Sequence, residues 1–353
     1  MSEFGEIKWI LHRVFAEELD MHEILKKITV GIADYENKTW EMDIAKCDWV
    51  AGVGLYGFCK AHERTGDDEI LNFLSDWVER NIDEAIKMPR INTAILMYTV
   101  LYVYRQNGNE NYLNLCKKIA DYFLYEAPKT REGALEHTVI EDAKFSEQVW
   151  ADTLFMAVIF LAEMGKYDKK YGDFAAKQLC IHLECLHDNE KDLYFHAWNS
   201  IAKNHMSAVR WGRANAWIIY GATEITRILG DFEGAETVKS HVKKHAAALK
   251  AIQTQNGAFR TVLDEESYEE ASATAGLIAG IKQAVQLGII EKEYLSMFDK
   301  GIEYLVGVVA ETGEVTEVSF GTPVLKSSEE YKNIICVPTL YGQGLAAIAL
   351  ALN

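Results

Sequence analysis

Proline is scarce, four in 353 residues, and nowhere does the chain run for about eighteen residues without a charge on apolar side chains alone. The first scarcity leaves long helices uninterrupted, because an interior proline removes a backbone hydrogen bond and clashes with the preceding turn. The second excludes a membrane-spanning helix. Met1-Ser-Glu-Phe-Gly-Glu-Ile-Lys8 has neither the basic start nor the apolar core of a secretory leader, so a cytoplasmic protein is expected. Paired cysteines are missing as well. Cys47, Cys59, Cys116, Cys180, Cys185 and Cys336 show no C-x-x-C or metal-ligand spacing, and all but Cys336 fall in helical patterns, which suits small core residues better than disulfides or ligands. Positive charge is in deficit: 36 Lys and Arg stand against 53 Asp and Glu, a net −17, with no basic block. A nucleic-acid backbone or an anionic membrane is excluded as partner, and an acidic ligand needs a locally basic pocket. No Pro-, Gly- or Ser-rich linker divides the chain, so residues 1–353 are read as one domain, 49% hydrophobic and able to bury a large core.

What is present is a rhythm of amphipathic segments with recurring punctuation: Arg64-Thr-Gly66-Asp-Asp, Gln106-Asn-Gly108-Asn-Glu, Glu163-Met-Gly165-Lys-Tyr, Ile228-Leu-Gly230-Asp-Phe and Gln286-Leu-Gly288-Ile-Ile. Glycine after a helix, followed by a polar opening, is helix-stop and helix-start chemistry. Periodicity predicts helices over 22–35, 46–65, 68–85, 92–107, 110–126, 146–164, 168–186, 213–229, 232–253, 270–287, 292–309 and 339–352. Every second one is apolar nearly all round, as in Ala94–Val103, Thr153–Ala162, Ala271–Ile281 and Gly344–Leu352. Those between carry polar faces such as Lys117-Lys118, Lys169-Lys170 and Lys243-Lys244. The alternation describes inner helices wrapped by outer ones, and six such pairs closed into a ring make an all-α (α/α)6 barrel. Short β-like elements are expected at Asp192–Trp198 and Gly257–Leu263, and a long loop over Gly313–Val324.

Parallel inner helices bring their N-terminal ends to one mouth. There the chain places Asp48-Trp49, Asn92, Trp150 and Asp152, Trp211, Arg213 and Trp217, Ser272 and Thr274, and Tyr341. Unpaired N–H groups and positive dipole ends converge there and favour an anion. Tryptophans suit sugar faces, Arg213 a bidentate hold on a carboxylate, and Asp152 the delivery of a proton. Plainer roles compete: Asp152 as a first-turn residue, the tryptophans as core, Arg213 as partner of a structural glutamate, Asn92 as a cap. His137 and His196 lack metal-ligand spacing and suit hydrogen bonding, so neither metal nor cofactor is expected. Ser272 and Thr274 have no His/Asp arrangement for nucleophilic catalysis.

The segments Gly133-Ala-Leu-Glu-His137, Gln148-Val-Trp150-Ala-Asp152-Thr-Leu-Phe-Met156, Tyr194-Phe-His196-Ala-Trp198, Trp211-Gly-Arg213-Ala-Asn215-Ala-Trp217 and Ser272-Ala-Thr274-Ala275 resemble the unsaturated rhamnogalacturonyl hydrolases of glycoside hydrolase family 105. A more distant likeness is to the unsaturated glucuronyl hydrolases of family 88. The resemblance spans most of the chain. It implies an (α/α)6 barrel, no metal, and removal of the 4,5-unsaturated uronic acid from small oligosaccharides left by polysaccharide lyases. An aspartic acid protonates the C4=C5 bond, water adds at C5, and the hemiketal opens. By motif position Asp152 is that acid and later base, with His137, Trp211, Arg213 and Trp217 around the uronate. Trp49, Asn92, Trp150 and His196 join them as candidate contacts.

Apolar neighbours are expected to raise the pKa of Asp152 against the helix dipole. The family pattern favours glycine where Ala214, Ala216 and Ala197 stand and aspartate where Asn199 stands, so a narrowed subsite beyond the uronate is expected. A second carboxylate is expected where Asn92 stands, leaving Asp43 or Asp48 to supply it unless one acid suffices. Pectin fragments are the first substrate reading, and ulvan or glycosaminoglycan fragments the alternative. A sugar epimerase using His137 and His196, or a non-catalytic saccharide-binding barrel, are the competing classes.

Overall fold

The computed structural model describes residues 21–33, 42–139 and 145–353. Among these, six inner helices form a closed ring: α2 (Trp49–Thr65), α4 (Ile91–Asn107), α6 (Ile159–Met164), α8 (Gly212–Leu229), α10 (Ala271–Gln286) and α13 (Leu340–Ala351). Consecutive members pack side by side and α13 closes on α2. Outside lie α1 (Met21–Ile32), α3 (Asp68–Ala85), α5 (Glu110–Tyr125), α7 (Lys169–Leu186), α9 (Ala235–Ile252) and α11 (Leu295–Gly307), with a one-turn α12 (Ser328–Lys332) before the last inner helix. This is the expected all-α (α/α)6 barrel. No described helix is long and apolar enough to cross a membrane.

The burial pattern explains the two layers. α3 buries Ile70, Leu74, Trp77 and Val78, one stripe at helical spacing, whereas every residue of α2 from Val50 to Ala61 is buried. Small residues let the inner helices approach closely: a methyl added at Gly57 would fall 2.5 Å from the Gly344 carbonyl oxygen. Gly66 and Gly108 end their helices in the left-handed region with open space around them, so backbone conformation explains those glycines. Gly165 differs: it stays right-handed, and Gly172 of α7 is packed against it.

The C-terminal end of the ring is filled by a buried ionic cluster. Glu224 accepts from Lys60 (2.9 Å), Tyr56 (2.9 Å), Gln283 (2.7 Å) and both arms of Arg227.

Three expected elements are corrected. The helix predicted over 146–164 begins only at Asp152, because Glu147 adopts a left-handed φ of 59° and Gln148–Trp150 becomes strand β1, paired antiparallel with β2 (Ala197–Asn199), which in turn pairs with β3 (Asn204–His205). The β-like element predicted over 192–198 reaches strand geometry only at its end. That over 257–263 forms isolated bridges, Trp211 to Val262 and Arg260 to Glu269. The first predicted helix extends to residues 34 and 35, which lie outside the described residues.

Candidate active site

A cavity of about 310 Å³ opens among the N-terminal ends of the inner helices. Asp48 and Trp49 enter it from α2, Asn92 from α4, and Trp211 and Arg213 from α8. Trp150 and Asp152 come from the junction of β1 with the third inner helix, His137 from the loop before it, and Gly321, Thr322 and Pro323 from the 313–324 loop. Of the residues predicted from sequence, all of these line the cavity. Trp217, His196, Ser272, Thr274 and Tyr341, also expected at the mouth, do not. Trp217 is buried a turn deeper, 4.7 Å from Phe155, and His196 is fully buried behind Asp152.

Asp152 sits where β1 gives way to helix. The next residues, Leu154–Val158, form a π turn, a widened turn often found where a side chain must be re-aimed. Its Oδ2 lies 3.2 Å from His196 Nε2, close but off the line of a hydrogen bond, so both atoms are buried without a hydrogen-bond partner. Burial pushes the Asp152 carboxyl up, but the His196 imidazole, aided by His137, outweighs it and holds the group below its ordinary 3.8. The expectation of a raised pKa is overturned, because it weighed the apolar neighbours and not the histidine behind the acid. His137 stacks on Trp150 with ring centres 4.2 Å apart and planes 2° from parallel. Burial, only partly opposed by Asp152, lowers His137 to about 4, so it is neutral above that.

Arg213 is held as a flat, pre-oriented cation. Its guanidinium lies 4.5 Å from the Trp211 ring centre and 4.7 Å from that of Tyr341. Nη1 donates to Ser319 Oγ (2.7 Å), Ser319 O (3.1 Å) and Ser272 Oγ (3.2 Å), and Nη2 donates to Thr322 Oγ1 (3.0 Å). The structural glutamate is also present: Glu270, 3.5 Å from Nη1, caps α10 through the Ala273 N–H and accepts from Ser272 and Ser319. Both readings of Arg213 therefore apply, because its Nε is buried with no acceptor. Asn215 explains the spacing of the Trp-x-Arg-x-Asn motif: it accepts from the Tyr194 N–H and donates to the Tyr194 and Trp211 carbonyls, pinning the His196 segment to α8.

Two buried polar groups of lining residues, Trp211 Nε1 and Arg213 Nε, lack partners, while Asp152 Oδ2 and His196 Nε2 face one another behind the cavity. Buried polar atoms are ordinarily satisfied, so their concentration at one cavity marks a place built for a polar ligand.

Other expectations resolve as follows. Asn92 does not cap α4, since Arg90 holds the cap position, and it faces the cavity instead. Asp48 is the carboxylate at the rim, its Oδ1 capping α2 through Val50 and Ala51, while Asp43 bonds the Ala45 N–H away from the lining. Ala214 and Ala216 are buried outside the lining, Ala216 against Gly276, so their methyls do not narrow the cavity. Among the described residues no three His, Cys, Asp or Glu side chains are grouped as a metal site. Sequence reasoning missed Glu270, Ser319 and Thr322, which lie in caps and loops, and Tyr331, which lies in the one-turn α12, too short to show periodicity.

The profile of the family described as Glycosyl Hydrolase Family 88 matches residues 21–351. The unsaturated rhamnogalacturonyl hydrolase YesR of Bacillus subtilis (strain 168) is 33% identical over 332 residues, covering 92% of this chain and 94% of that protein. The solved structure of a possible member of the GH105 family from Salmonella enterica is 29% identical with a TM-score of 0.87, covering 94% and 93% of the two chains. An unsaturated glucuronyl hydrolase specific for heparin shares the fold at 16% identity, TM-score 0.73, over 94% of this chain and 96% of that one.

Proposed function

The chain belongs to glycosyl hydrolase family 88 and is a glycoside hydrolase, and on that premise we propose that it removes a 4,5-unsaturated uronic acid from the non-reducing end of small oligosaccharides, unsaturated rhamnogalacturonan disaccharide first among them. One observation carries the reading: a part-buried aspartate shares a cavity with a buried arginine whose Nε–H has no acceptor. The arginine takes the uronate carboxylate, a planar match for its fork, and Trp150 and Trp211 offer aromatic faces to the ring. Asp152, protonated, gives its proton to C4 of the C4=C5 bond. Charge then develops at C5 and the ring oxygen. The Asp152 carboxylate takes a proton from the water that adds at C5, and the resulting hemiketal opens, releasing the remaining saccharide.

The likeness to YesR supports the pectin-derived substrate over a glycosaminoglycan fragment. Loss of the double-bond ultraviolet absorbance tests the reading with lyase-generated disaccharides from rhamnogalacturonan, ulvan and chondroitin. Turnover of the first by wild type and not by Asp152→Asn is expected. Equal turnover by both proteins would remove Asp152 from the chemistry.

A further inference from the structure

We infer that Tyr331, outside the cavity, is a positioning residue that fixes the tautomer of His196 so that an N–H, and not a lone pair, faces Asp152. The inference rests on the reading of Asp152 as proton donor. His196 and Tyr331 are both fully buried, and Tyr331 Oη lies 2.9 Å from His196 Nδ1. The phenol has one proton to give. One of its lone pairs is taken, because the Leu325 N–H donates to it at 3.1 Å. The nearby Ser207 hydroxyl makes no well-formed hydrogen bond and bears on the phenol as a donor, not as an acceptor of its proton. That leaves Nδ1 as the acceptor for the phenolic proton, and an imidazole accepting at Nδ1 carries its hydrogen on Nε2. Nε2 is the atom 3.2 Å from Asp152 Oδ2.

The ring is held in plane for this task. Trp211 packs on it at 4.4 Å between centres and Trp150 meets it edge-on at 5.4 Å. Asp152, His137 and Tyr331 are the titratable groups facing it among the described residues. Tyr331 stands in α12, at the end of the stretch whose Ser319 and Thr322 grip Arg213. One irregular segment thus orients the carboxylate clamp and the partner of the acid together.

With the opposite tautomer, the Nε2 lone pair would accept the Asp152 proton and withdraw it from the substrate. Tyr331→Phe frees His196 to adopt that state while keeping the aromatic packing. The expected result is a fall in kcat of about 10- to 100-fold, the usual scale for an orienting partner behind a reactive group, with KM changed less than about twofold. The limb of the kcat/KM profile belonging to Asp152 moves to higher pH, which a loss of packing alone would not cause. Nitrogen-15 spectra of histidine-labelled wild type, assigned with His196→Gln, are expected to show a protonated Nε2 and an unprotonated Nδ1 at neutral pH. A protonated Nδ1 in wild type overturns the inference, as does a Tyr331→Phe enzyme with unchanged kcat and pH profile. Absence of turnover by wild type on every unsaturated disaccharide rejects the functional reading, while the nitrogen spectra still decide the tautomer.

Discussion

Binding of the uronate is expected to load the acid. In the free protein His196, aided by His137, outweighs burial and holds the Asp152 carboxyl below its ordinary value, so near neutral pH it is ionised. Arg213 does not provide spare positive charge to neutralise the ligand, because Glu270 already faces it at 3.5 Å. A uronate carboxylate therefore adds net negative charge to the cavity that Asp152 lines, at a separation on the order of 6 Å. At an effective dielectric of about 20 the repulsion is about 2.8 kcal/mol, or roughly two pKa units upward for Asp152. The protonated form is the active one, so rate falls as pH rises through the relevant pKa. The limb of kcat/KM, which reports the free enzyme, is expected at lower pH than that of kcat, which reports the complex. Initial rates of double-bond loss between pH 3.5 and 8, taken as roughly the range of interest, measure both limbs. Calorimetry with a saturated uronate disaccharide, in buffers of different ionisation enthalpy, is expected to show proton uptake by wild type and none by Asp152→Asn. A kcat limb at or below the kcat/KM limb, or binding without proton uptake, refutes the reasoning.

Asp152→Asn itself is expected to lower kcat by about 10²- to 10⁴-fold with its thermal midpoint retained, checked by the same absorbance assay and by calorimetry. Arg213→Lys should raise KM at least about tenfold, because an ammonium cannot bond Ser319 and Thr322 while stacking between Trp211 and Tyr341; unchanged KM would dismiss the carboxylate role. Arg213→Met, which leaves buried Glu270 without its cation, is expected to cost about 3–5 kcal/mol of stability in urea unfolding. Gly344→Ala should lower stability by about 1–3 kcal/mol or more, since the added methyl meets the Val53 backbone of α2, and a neutral result would show that the ring can spread. Burial depresses His137, His182 and His245 to about 4, 4 and 3. Their contribution is complete above the unfolded value near 6.5 and is lost as pH falls toward those folded values, so unfolding free energy should drop by about 1.4 kcal/mol per pH unit for each between pH 6 and 4. Denaturant titrations across that window test it.

The ring was legible because each inner helix declares itself locally, through an apolar run with polar or aromatic residues at its front, and the N-terminal ends then had only one mouth to share. Asp48, Asn92, Asp152 and Arg213 were found this way, and the structure brings them around one cavity. The sign of the Asp152 shift was not legible, because its cause is His196, supplied by a separate segment that β-pairing through Trp150 and Ala197 brings alongside. Tyr331 was hidden for the same reason, 135 residues from the histidine it bonds and inside a stretch with no periodicity to mark it. The motif Trp211-x-Arg213-x-Asn215-x-Trp217 shows how spacing alone misleads. Arg213 and Trp217 are four residues apart and share a helix face, but a rise of 1.5 Å per residue sets Trp217 about 6 Å further from the mouth. That depth is the difference between lining the cavity and packing on Phe155 in the core. Trp217 therefore supports the site from below, and Trp217→Phe should disturb stability more than KM, whereas Trp150→Phe, at the cavity wall, should do the reverse.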